Sequence, residues 1–137
     1  MPVSYAILTS PDLVYVRFYG HVEIDEIREG LARFGREPDF RFGMSHYFDL
    51  SDLTSYEQDQ AKIMAWQAAV ADIYPIDRTE HLMVFHAPEG PAFELVSRIR
   101  KSWEGSSHPI VMRVFTDQKD ALEVLGVFHP ALNSMLT

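Results

Sequence analysis

The chain of 137 residues has no cysteine, which excludes disulfides, thiolate–metal sites and cysteine nucleophiles and leaves a reducing compartment open to it. It also lacks any run near the roughly 18 apolar residues of a membrane span, and MPVSYAILTSPDL at its start has no basic leader, so a cytoplasmic protein without membrane insertion is expected. Bases are scarce: twelve Lys and Arg face twenty Asp and Glu, for a formal net charge of −8, which repels phosphate backbones and argues against a nucleic-acid partner. Glycine falls singly at apparent element ends, so no phosphate loop is present, and no Gly-x-Ser-x-Gly elbow offers a hydrolase nucleophile. Six histidines occur without His-x-His or His-x-x-x-His spacing, so neither a metal nor another cofactor is expected.

What is present is an apolar share of 47%, enough for one domain with its own core. Tyr5 to Ser10 and Leu13 to Gly20 read as a hairpin turned at Pro11-Asp12. From Ile24 the apolar period becomes helical through Ile27, Leu31 and Phe34, stopping at Gly35 or at Glu37-Pro38. Ser45 to Leu50 reads as a third strand and Tyr56 to Ile73 as a second helix, with Ile63, Trp66, Val70 and Ile73 inward. Ala61, Ala65 and Ala68 on another face of that helix suit close packing against a neighbouring helix. His81 to Ala87 is a nearly continuous apolar run, as expected of a central strand covered on both faces. Pro91 opens a third helix lined by Ala92, Val96, Ile99 and Trp103 and ended by Gly105. Ile110 to Phe115 is a fifth strand, after which Thr116 or Asp117 caps a fourth helix that ends at Gly126.

The order ββαβαβαβα predicts an α/β fold, a mixed sheet of about five strands with packed helices. Val16-Arg17-Phe18-Tyr19-Gly20 before the Ile24 helix, Phe48-Asp49-Leu50 with its polar exit, and Arg113-Val114-Phe115-Thr116-Asp117 before Ala121 and Leu122 carry a resemblance. On these residues the chain resembles the STAS-domain superfamily, in particular its SpoIIAA-like group related to anti-sigma-factor antagonists. The resemblance covers residues 1–127 as one domain and leaves 128–137 as an apolar extension, in which Phe128, Leu132, Met135 and Leu136 fall at helical spacing. That extension is expected to pack on its own domain or into a twin subunit, the second giving a homodimer.

The resemblance implies a non-enzymatic, regulatory interaction module that docks a protein partner on the second helix and the segment before it. Antagonists of that class carry a phospho-acceptor serine there, whereas Glu57-Gln58-Asp59-Gln60 stands at the corresponding place. Between Arg41 and Lys62 the chain has four acids, Asp49, Asp52, Glu57 and Asp59, and no base. Asp49, Ser51, Asp52, Thr54, Ser55, Glu57 and Asp59 are therefore the candidate partner-binding residues, on an acidic loop whose Thr54 or Ser55 caps the second helix in a box with Glu57 or Gln58. No catalytic residue is proposed. His86 and Thr116, at adjacent strand ends, mark the edge of a candidate ligand pocket, and His86 is expected to bond a neighbouring loop carbonyl. A binder of small apolar molecules or lipids is the competing reading, from the wealth of Tyr, Phe and Met and the likeness of STAS-type sheets to lipid-transfer modules.

Overall fold

The computed structural model describes residues 3–8, 13–40, 44–73, 81–103 and 110–125; the side chains of Phe34, His81, Ile110 and residues 69–73 lie outside that description. Strands β1 (Val3–Leu8) and β2 (Leu13–Val22) form an antiparallel hairpin, with Val3 opposite Phe18 and Leu8 opposite Leu13. Strand β2 then pairs in parallel with β3 (Ser45–Tyr56), β3 with β4 (His81–His86), and β4 with β5 (Ile110–Phe115). Spatial order follows chain order, so the middle strand is β3, not the apolar His81 run. Met83, Val84 and Phe85 of β4 are nonetheless buried, because helices lie on both faces there.

Helices α1 (Ile24–Phe34), α2 (Gln60–Ile73) and α3 (Pro91–Ser102) belong to one face, where Val14, Val16, Phe18, Phe48, Leu50 and Phe85 join the main core. The opposite face holds Leu13, Tyr15 and Tyr47 beneath Leu122 and Leu125 of α4 (Gln118–Leu125). This split follows from the two-residue period of a strand.

Strand β3 is twelve residues long and runs to Tyr56, so the segment read as an acidic loop is strand for most of its length. The cause is tertiary. Strand β2 continues past Gly20, whose φ of 68° absorbs a shift of register, and pairs Tyr19, Gly20, His21 and Val22 with Asp52, Leu53, Ser55 and Tyr56. Buried Leu53 and Tyr56 hold the extension to the core.

Helix α2 consequently starts at Gln60, and its cap is Asp59, whose Oδ1 accepts from the Lys62 amide at 3.1 Å while its carbonyl accepts from Ile63. Neither Thr54 nor Ser55 caps it: Thr54 is an exposed strand residue, and Ser55 Oγ lies 2.7 Å from His21 Nδ1. Glu57 caps the other helix, accepting from the Ile24 amide at the start of α1. Ala61, Ala65 and Ala68 are exposed and do not mediate the expected close packing. Gly90 (φ 116°) and Pro91 start α3, and Asp117 rather than Thr116 serves α4, its Oδ1 accepting from the Lys119 amide. Gly105, Gly126 and the 128–137 extension lie outside the described residues.

Candidate functional site

The acidic segment is answered within the chain. Asp52 pairs with Arg17 across the β2–β3 pairing, and Glu57 pairs with Lys62 at 2.9 Å, which raises the ammonium pKa. Asp59 is spent on its helix cap. Asp49 is not a surface residue at all: it points to the α4 face and is only 5% exposed. Its Oδ1 accepts from the Ser51 amide at 3.0 Å and from Ser51 Oγ at 2.7 Å, and lies 3.2 Å from His86 Nδ1; Tyr15 reaches Oδ2 at 3.4 Å. His86 thus bonds a carboxylate, not a loop carbonyl.

The strand register explains the meeting. Asp49 and His86 are paired on adjacent parallel strands, so their side chains share a face, and Nδ1 is the ring nitrogen engaged with Asp49. Burial together with the Asp49 charge pushes the Tyr15 phenol up to about 12 and raises Tyr47 further. The buried Tyr47 hydroxyl completes no hydrogen bond, although Gln118 approaches it and eases its ionisation slightly. Thr116 is exposed one residue beyond β5 and has no bond to the pair.

This cluster is not a nucleophile relay. Ser51 donates to the acid and makes no bond to the imidazole, so the relay of a nucleophile through histidine to an orienting carboxylate is absent. Among the described residues no group of three His, Asp or Glu side chains is arranged for a metal. A fully bonded aspartate that ties β3, β4 and β2 together is a structural device.

The other face carries a cavity that the sequence did not announce. Val16, Phe18, Phe48, Met83 and Phe85 form its floor, β1 closes one side with Val3 and Tyr5, and the roof is Ile27, Gly30, Leu31, Trp66 and Trp103. About 20 Å³ of it admits the centre of a water-sized sphere, room for roughly one water. Gly30 lets α1 approach β1 closely, since a Cβ there meets Val3 Cγ1 at 3.0 Å and the valine side chain has to give way. The indole Nε1 of Trp66 is buried without a hydrogen-bond partner. At the rim the Tyr5 hydroxyl donates to Glu37 at 2.6 Å, a bond that raises its pKa, while Arg33 and Arg36 act on it in the opposite sense.

No family model matches the chain. No curated protein matches it in sequence either. A structure search does find a match: an uncharacterized protein of the DUF3478 family from Shewanella loihica PV-4, described as having a SpoIIAA-like fold, superposes with a TM-score of 0.55 over 90% of this chain and 93% of that one, at 15% identity. The fold is SpoIIAA-like. At that identity the likeness concerns architecture alone, and the SpoIIAA-like frame of five mixed strands and four helices is the one expected from the order of elements. No enzyme family is indicated. Among the described residues no helix is long and apolar enough to cross a membrane.

Neither Trp66 nor Trp103 was singled out as a site residue by sequence reasoning, because each fits a core stripe. The one local sign was Gly30, a glycine inside an amphipathic helix, where it costs roughly 1 kcal/mol relative to alanine and calls for a packing reason.

Proposed function

We propose that this protein binds a small apolar molecule in the cavity between the sheet and helices α1, α2 and α3, without catalysis. The observation that carries the reading is the lining: twelve residues drawn from six elements and the segment after α3, nearly all of them apolar, with two tryptophans in the roof. The contracted volume means that a ligand enters by displacing the roof. Helix α2 is suited to yield, since it packs chiefly on α1 and α3 and not on the sheet, and Trp66 is the side chain it lowers into the gap. Its outer face, with exposed Ala61, Met64, Ala65 and Ala68, adds no anchoring.

Docking of a regulatory protein on the acidic segment stands second. Its carboxylates are engaged by Arg17, Lys62 and main-chain amides, so a partner has to displace bonds already made.

Native mass spectrometry of freshly purified protein, before and after addition of 1-decanol, tests the reading. A retained apolar adduct, or a one-to-one decanol complex weakened by the cavity-filling Val16→Phe substitution, is expected. An empty chain that gains no adduct up to the solubility limit of decanol overturns it.

A further inference from the structure

One polar atom in the cavity wall specifies the kind of apolar molecule. Trp66 is only 8% exposed and lines the cavity from α2, yet its indole Nε1 has no hydrogen-bond partner among the described residues. A buried N–H without an acceptor forgoes the bond it makes in water, so a tryptophan placed there only for bulk carries a penalty that phenylalanine avoids. The lining offers the indole little. Most of its side chains are hydrocarbon, the Met83 thioether is a weak acceptor, and the Tyr5 hydroxyl is engaged with Glu37. On the floor, Val16, Phe48 and Phe85 stand side by side in paired strands, whose main-chain carbonyls are taken up by the sheet. An opening of α2 carries the Trp66 ring with it, so the indole meets whatever enters.

Resting on the apolar-cavity reading, we infer that the ligand is a neutral carbonyl compound, a medium-chain ketone or ester, whose oxygen accepts from Trp66 Nε1–H while its hydrocarbon lies against Phe48 and Phe85. A carbonyl oxygen completes the indole and brings no proton of its own to be satisfied. A hydroxyl does bring one, and the lining has no good acceptor for it; a charged head is rejected by the apolar surroundings altogether. A plain hydrocarbon fits the lining and leaves the indole as it was. Because Trp66 is carried by α2, the bond also ties the yielding helix to its occupant. A tryptophan that serves only as bulk gives a carbonyl no advantage, which separates the two.

Proton–nitrogen NMR of the labelled full chain, titrated with 2-octanone, 2-octanol and 1-octene, is the test. The chain has two tryptophans, so Trp103→Phe leaves the indole signal of Trp66 alone and identifies it. The ketone is expected to move that proton downfield saturably, further than the alkene does, and to bind about fivefold more tightly than the alcohol of the same skeleton. In Trp66→Phe, which keeps an aromatic ring in place, 2-octanone affinity is expected to fall about fivefold, with 1-octene within about twofold of the unsubstituted protein. An indole proton no further downfield with the ketone than with the alkene overturns the carbonyl while leaving the apolar cavity standing. So does equal affinity for ketone and alcohol, or a Trp66→Phe substitution that weakens ketone and alkene alike or neither. The shift in the unsubstituted chain decides the matter even where Trp66→Phe fails to fold. Failure of all three probes to bind overturns the cavity reading itself.

Discussion

Asp49 shows how much one buried carboxylate organises. It accepts from the Ser51 amide and hydroxyl and meets buried His86 and Tyr15, so Asp49→Ala leaves these two buried groups without their partner at a cost of about 1–3 kcal/mol. Tyr47→Phe removes a buried hydroxyl that has no hydrogen-bond partner and is expected to be neutral or slightly stabilising. Urea denaturation of the two variants beside the unsubstituted protein measures both effects, and a larger loss in Tyr47→Phe contradicts the assignment. Proton linkage adds a second expectation. Tyr15 and Tyr56 are held near pKa 12 by burial, with Asp49 and Glu94 assisting, against an ordinary value of 10.0. Their folded-state pKa is raised, so the contribution is fully present below pH 10 and lost as pH rises towards 12. Stability is expected to fall across that window, and phenolate absorbance to appear in step with unfolding. Phenolate signal from Tyr15 or Tyr56 near pH 10 in still-folded protein contradicts this. Of these residues, His86 and Asp49 were visible in the sequence as polar positions near strand ends. Their contact was not, because it depends on which residues of β3 and β4 share a register.

At the level of elements, the helix–strand order was legible from period alone. Ile24, Ile27 and Leu31, then Ala92, Val96 and Ile99, are buried as their spacing requires. The end of β3 was not legible. Ser51, Asp52, Thr54 and Ser55 have the composition of a turn, and only pairing with the extended end of β2 keeps them in a strand. That displaced the helix cap by four or five residues, from Thr54 or Ser55 to Asp59. Asp59→Ala is therefore expected to cost about 1 kcal/mol, while Thr54→Ala costs little. Thermal unfolding followed by circular dichroism decides between them, the reverse order contradicting the cap. Gly20 belongs to the same story. A Cβ there meets nothing within 4 Å, so Gly20→Ala tests the backbone alone, and the positive φ predicts a loss of about 1–2 kcal/mol. An unchanged midpoint contradicts the need for a left-handed residue at the register shift.

For the whole molecule, alternation of strands and helices after an opening hairpin was sufficient to anticipate a mixed sheet with packed helices, and the resemblance carried by residues 16–20, 48–50 and 113–117 supplied the SpoIIAA-like expectation that the fold bears out. The cavity escaped because its wall is assembled from six elements and the segment after α3, and each lining residue taken singly reads as core. It also lies on the opposite face of the sheet from Asp49 and His86, beside which the sequence had suggested a pocket. The acids that suggested a docking surface are committed within the chain, and the cavity beneath α2 is lined by apolar side chains, Trp66 and Trp103 among them. In the proposed reading, binding depends on an opening of α2. The chain holds two tryptophans, and both line this cavity, so indole emission reports on it without labelling. Titration with 1-decanol is expected to shift that emission saturably and to protect both rings from acrylamide quenching; spectra and quenching that stay unchanged to the solubility limit would contradict a ligand-binding cavity.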